Sequence, residues 1–75
     1  MEELLELLKN IKPEVNFEEN EHLIDEELLD SFDIVSIVAA INDTFDIEIG
    51  AGDIMPDNFN SAKAMYELIQ RLEEN

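Results

Sequence analysis

Residues 28–46 read Leu28-Leu29-Asp30-Ser31-Phe32-Asp33-Ile34-Val35-Ser36-Ile37-Val38-Ala39-Ala40-Ile41-Asn42-Asp43-Thr44-Phe45-Asp46. At roughly 100° per residue, Ile34, Ile37, Val38, Ile41 and Phe45 fall in one stripe about 100° wide. The spacing predicts an amphipathic helix from about Ser31 to Phe45, ending around Asp46. A stripe on one side only has to be buried against other elements, so this helix belongs to a packed bundle. On the side away from the stripe, Phe32, Val35 and Ala39 lie within roughly 60° of one another. A serine at a helix start is ordinarily a cap whose hydroxyl accepts from a free backbone N–H. Asp30 can fill the same role and leave Ser31 in the first turn.

Working outward, Leu4, Leu7, Leu8 and Ile11 recur at i, i+3, i+4 and i+7, one face of a first helix. Glu2, Glu3 and Glu6 stand in its first turns, where the helix dipole favours anions, and Lys9 and Lys12 near its end. Pro13 stops it. Residues 13–30 keep no period but scatter Val15, Phe17, Leu23, Ile24, Leu28 and Leu29 among acids, which predicts a long loop pinned to the core. Beyond the central helix, Ile47-Glu48-Ile49 reads as an extended exit and Gly50-Ala51-Gly52 as a flexible turn. Pro56-Asp57-Asn58-Phe59 has room for one helical turn with proline first. Asn60 or Ser61 can cap a last helix, in which Met65, Leu68, Ile69 and Leu72 repeat the i, i+3, i+4, i+7 pattern. The expected fold is all-α: a small four-helix bundle with a short third helix and a long first loop.

The chain has 75 residues, 45% of them hydrophobic, which predicts one domain over residues 1–75 with a single core. It has no cysteine, so disulfides, thiolate metal sites and cysteine nucleophiles are excluded, and a reducing compartment is the simpler expectation. No apolar run reaches the roughly 18 residues of a membrane span, and no signal-peptide pattern opens the chain, which is expected to be complete and cytoplasmic. Twenty acidic residues face four basic ones, a formal charge of −16. Such a chain is repelled by nucleic acid and by anionic membrane surfaces, and its field steers proteins with basic patches toward it. Self-repulsion predicts a monomer.

Catalytic patterns are missing. The single histidine, His22, is expected in a solvated loop, with no sequence sign of a nucleophile or an orienting group for it. One histidine and no cysteine make a zinc site improbable, and no window starting at Asp46, Asp53 or Asp57 supplies an EF-hand ligand set. Gly50 and Gly52 precede no Gly-Lys-Ser or Gly-Lys-Thr, so they form no phosphate loop. No catalytic residue and no metal ligand is assigned. The expected class is a binding or carrying module rather than an enzyme.

At the start of the central helix the sequence resembles the acyl carrier protein family, whose Asp-Ser-Leu signature is matched by Asp30-Ser31-Phe32, preceded by two leucines and followed by Asp33. Phe45-Asp46-Ile47-Glu48-Ile49 is similar to the Phe-Asp-x-Glu-Ile that ends the family's second helix. Ile54-Met55-Pro56-Asp57-Asn58-Phe59 is similar to its Ile-x-Pro-Glu-Asn-Phe before the last helix. Helix order, loop lengths and acidity agree over nearly the whole chain. The resemblance implies the family's four-helix bundle and a 4'-phosphopantetheine arm on Ser31, beside Asp30, placed there from coenzyme A by a phosphopantetheinyl transferase. It implies acyl or aminoacyl thioester cargo presented to loading and processing enzymes of fatty acid, polyketide or related biosynthesis. A phosphate at a helix N-terminus independently suits the free N–H groups and the positive end of the dipole.

Phe32, Val35 and Ala39, flanked by Ser36, Asp43 and Asp46 with Asp33 farther round, form the expected docking face for basic, partly apolar enzyme surfaces. Scattered surface apolar residues would need no such explanation. Phe32 stands where fatty-acid carriers usually have leucine, and Ser36 and Asn42 where they often have glutamate. A dedicated pathway therefore competes with general fatty acid synthesis: polyketide or peptide assembly, aminoacyl loading like that of D-alanyl carriers, or a specialised lipid. The alternative from another class is an acidic interaction adaptor with the same fold that never receives the arm. A cation-responsive acidic bundle is a weaker third reading.

Overall fold

Each apolar stripe finds a partner. In the computed structural model, which describes residues 1–74, the stripes lie on α1 (Glu2–Ile11), α2 (Ser31–Phe45) and α4 (Ala62–Glu73), with a one-turn α3 at Pro56–Phe59. Leu4 and Leu8 of α1, Ile37 and Ile41 of α2, and Met65, Leu68 and Ile69 of α4 are buried in one cluster. Ile34, Val38 and Phe45 complete the α2 stripe half-buried. α1 packs on α2 and, less extensively, on α4, while α3 packs on α4. The result is the expected all-helical bundle with a long first loop and a short third helix, measuring 31 × 23 × 20 Å.

The first loop is a layer of the core. Val15, Phe17, Leu23 and Leu29 are all buried, and each of the larger side chains contributes about 1.5–3 kcal/mol by leaving water. Asparagines anchor the loops where helices cannot. Asn16 Oδ1 accepts from the N–H of Glu18 at 3.1 Å, and Asn58 Nδ2 donates to the Asp53 carbonyl at 2.8 Å. Asn60 Oδ1 accepts from the N–H groups of Ile24 and Asp25, at 2.9 and 3.1 Å.

Two helix starts were open in the sequence. Ser61 caps α4, accepting from Ala64 N at 3.0 Å, and Asp30 rather than Ser31 caps α2. The segment read as a turn at Gly50-Ala51-Gly52 is a 3-10 turn over Ala51–Asp53, closed by Asp53 N–H on the Gly50 carbonyl at 3.0 Å. Neither glycine has a positive φ. The left-handed positions are held instead by Glu27 (φ 59°) and by Asp46 (φ 53°), the C-cap of α2.

Candidate functional site: the N-terminus of α2

The first turn of α2 is fixed by two carboxylates that cap each other's backbone. Asp30 Oδ1 accepts from Asp33 N–H at 2.9 Å, and Asp33 Oδ2 accepts from Asp30 N–H at 3.1 Å. This capping box satisfies two orphan donors. The Asp30 carbonyl takes the next N–H, that of Ile34, at 3.0 Å. Ser31 is left at the first helical position, exposed, with its hydroxyl in no side-chain hydrogen bond among the described residues. Its own N–H and that of Phe32 belong to the helix end's unpaired donors.

Lys12, which ends α1, joins this turn from across the first loop. Its Nζ donates to Asp33 Oδ2 at 2.7 Å, with side chains only 25% and 16% exposed respectively, and stands 3.8 Å from Glu14. Hydrogen bonding to Lys12, then to the Asp30 backbone, holds the Asp33 carboxyl below its ordinary value; bonding to Asp33 in turn raises the Lys12 ammonium. Asp33, expected among docking acids, thus has its carboxylate engaged inside the chain. Sequence reading missed Lys12. Its one signal was a lysine at a helix end, which spacing alone could not connect to an acid 21 residues away.

Beyond Ser31 the outer face of α2 is open. Phe32 is 85% exposed, Val35 is 66% exposed, and Ala39, Ser36, Asp43 and Asp46 are exposed along the same helix or at its cap. Asn42 is not part of that face: it is half-buried, and its Oδ1 accepts from Ile49 N–H at 2.9 Å. An asparagine here anchors the exit from α2, a bond that a glutamate's longer side chain would not reproduce. His22 is exposed in the first loop, its Nδ1 3.5 Å from Asp25 Oδ2. Among the described residues, no helix is long and apolar enough to cross a membrane, and no group of three acidic or histidine side chains is placed to hold a metal ion.

The family model described as the phosphopantetheine attachment site matches residues 1–69. No curated protein and no solved structure matches the chain. The matched span runs from the first residue through α1, the loop, all of α2 and most of α4. An all-helical bundle matched over that length by this family model belongs to the phosphopantetheine attachment site family, whose domains carry 4'-phosphopantetheine covalently and work with the enzymes that modify and use it.

Proposed function

We propose that Ser31 is the serine that takes the arm, and that the chain is a single carrier domain, not a catalyst. Its cargo is acyl or aminoacyl, held as a thioester for partner enzymes of fatty acid, polyketide or related biosynthesis. The observation carrying this reading is the division of labour at the α2 start. Asp30 performs the capping that would otherwise occupy a serine hydroxyl, so Ser31 Oγ stands free and exposed at the first helical position. The unpaired N–H groups of Ser31 and Phe32 suit a phosphate bonded to that oxygen, and the helix dipole favours its charge. Lys12 offsets one of the two carboxylates that would oppose it.

Modification forms a bond from Ser31 Oγ to the phosphorus bearing pantetheine. The bond from that phosphorus to the adenosine 3',5'-bisphosphate half of coenzyme A breaks, and the hydroxyl proton passes to a base on the transferase. The arm, once bound, supplies the thiol that bears cargo; no residue of this chain has to be nucleophilic. Phe32, Val35 and Ala39, with Ser36, Asp43 and Asp46 around them, form the surface on which the transferase and the loading enzymes dock.

Intact-protein mass after incubation with coenzyme A, magnesium and a broad-specificity phosphopantetheinyl transferase tests this. The chain is expected to gain one phosphopantetheinyl group and Ser31→Ala none. No gain in a folded parent chain would overturn the reading in favour of an unmodified adaptor.

A further inference from the structure

We propose that Lys12 is a positioning residue for the modification of Ser31, clamping through Asp33 the capping box that sets the first turn of α2. The inference rests on the reading of Ser31 as the attachment serine. An ordinary capping box pairs a neutral hydroxyl with a glutamate or glutamine. Here both members are carboxylates, Asp30 and Asp33, each bonded to the other's N–H at 2.9–3.1 Å. Besides that bond to the backbone, Asp33 takes a counter-charge from outside α2.

Lys12 supplies it at 2.7 Å, from a site shielded enough that the pair is not simply dissolved in solvent. Asp33 Oδ2 receives both the Lys12 ammonium and the Asp30 N–H, so one oxygen joins the end of α1 to Asp30, just before Ser31, and to Asp33, two residues after it. Because Asp30 sets where α2 begins, loosening Asp33 frees the first turn and with it the backbone that aims Ser31 Oγ. For a transferase docking on Phe32 and Val35, the Val35 part of the face lies beyond the clamped turn and stays in place, and Phe32 remains exposed. Removing Lys12 therefore slows the transfer step more than it weakens docking.

The test is steady-state modification of full-length chains with the carrier as varied substrate, together with amide exchange of the unmodified proteins by NMR. For Lys12→Gln, with helicity retained, kcat is expected to fall about fivefold, while KM moves less than about twofold. The amides of Asp30, Asp33 and Ile34, which are the ones bonded in the box and first turn, are expected to exchange about tenfold faster. Asp33→Asn should match it and add nothing in the double variant, and Lys12→Arg should restore both rate and protection. An unchanged kcat in a folded Lys12→Gln chain, a rise in KM alone, or failure of Lys12→Arg to rescue would overturn the inference while leaving Ser31 as the attachment serine. Absence of any mass gain in the parent chain would overturn both.

Discussion

Asn60, just before α4, receives the backbone N–H of Ile24 on its side-chain oxygen at 2.9 Å, and its own carbonyl receives that of Leu23 at 2.9 Å. Residues 36 and 37 positions apart are thereby tied at the point where Leu23 enters the core. Asn60→Ala leaves the half-buried Ile24 N–H without its partner. The expected loss is about 1–3 kcal/mol in urea unfolding, the cost of an orphaned donor. A change of less than ~0.3 kcal/mol would mean that water replaces the asparagine and that Leu23 alone holds the loop.

Glu27 sits in the same loop, exposed, at φ 59°, where the Cβ of an L residue crowds the backbone carbonyl. Glu27→Gly is expected to stabilise the chain by about 0.5–1 kcal/mol despite the greater freedom it gives the unfolded state. Glu27→Gln separates strain from charge: it removes the same negative charge and keeps the strain. Equal gains from the two variants would assign the effect to charge.

Helices and core were legible in the sequence because burial imposes a period on residues such as Leu4 and Leu8 or Ile37 and Ile41. Ser31 was legible only through local words, Asp30-Ser31-Phe32 and the segments around them. The clamps were not. Lys12 with Asp33 and Asn60 with Ile24 meet by tertiary placement, and in a chain with twenty acids no spacing rule selects one partner for a lysine. Asn42 stands where a surface acid is expected, and its side chain instead holds Ile49. Polar side chains that bond backbone carry no periodic signature, since their partners are present in every residue.

Phe32 tests the docking surface. At 85% exposure its side chain contributes little to the fold, so Phe32→Ala should change stability by no more than about 0.5 kcal/mol. If the transferase seats it in an apolar pocket, KM for the carrier should rise roughly tenfold or more, the size of an aromatic anchor's loss. Unchanged KM with full modification would remove Phe32 from the docking face and leave Val35 to be tried next.

Charge should make stability depend on salt. The net charge of −16 is spread over a body 31 Å long and 20 Å thick. At about 0.01 M ionic strength the screening length is ~30 Å and every acid feels the others; at about 0.1 M it is ~10 Å and repulsion across the bundle is cut off. Tm should therefore rise over that range, by ~4–8 °C for each kcal/mol of repulsion removed. Sodium and magnesium chloride should act alike at equal ionic strength. Stabilisation by micromolar magnesium alone would point to a specific cation site instead.

The Lys12–Asp33 pair has its own pH signature, separable from the general charge. Asp33 is held below its ordinary value of 3.8, so its contribution is present above that value and is lost as pH falls through the lower folded value. Lys12 is raised above 10.5, so its contribution is present below 10.5 and is lost only as pH climbs through the higher folded value. Between the two the pair is fully charged. Acidification also reduces the net negative charge of −16 and its self-repulsion, so raw Tm against pH mixes opposite effects. The informative quantity is the difference in unfolding free energy between the parent chain and Lys12→Gln. That difference is expected to be flat from pH 5 to 9 and to close below 3.8, as pH falls toward and through the lower folded value of Asp33. A difference that persists undiminished at pH 2 would mean that Lys12 stabilises α2 by packing its methylene stem, not by its bond to Asp33.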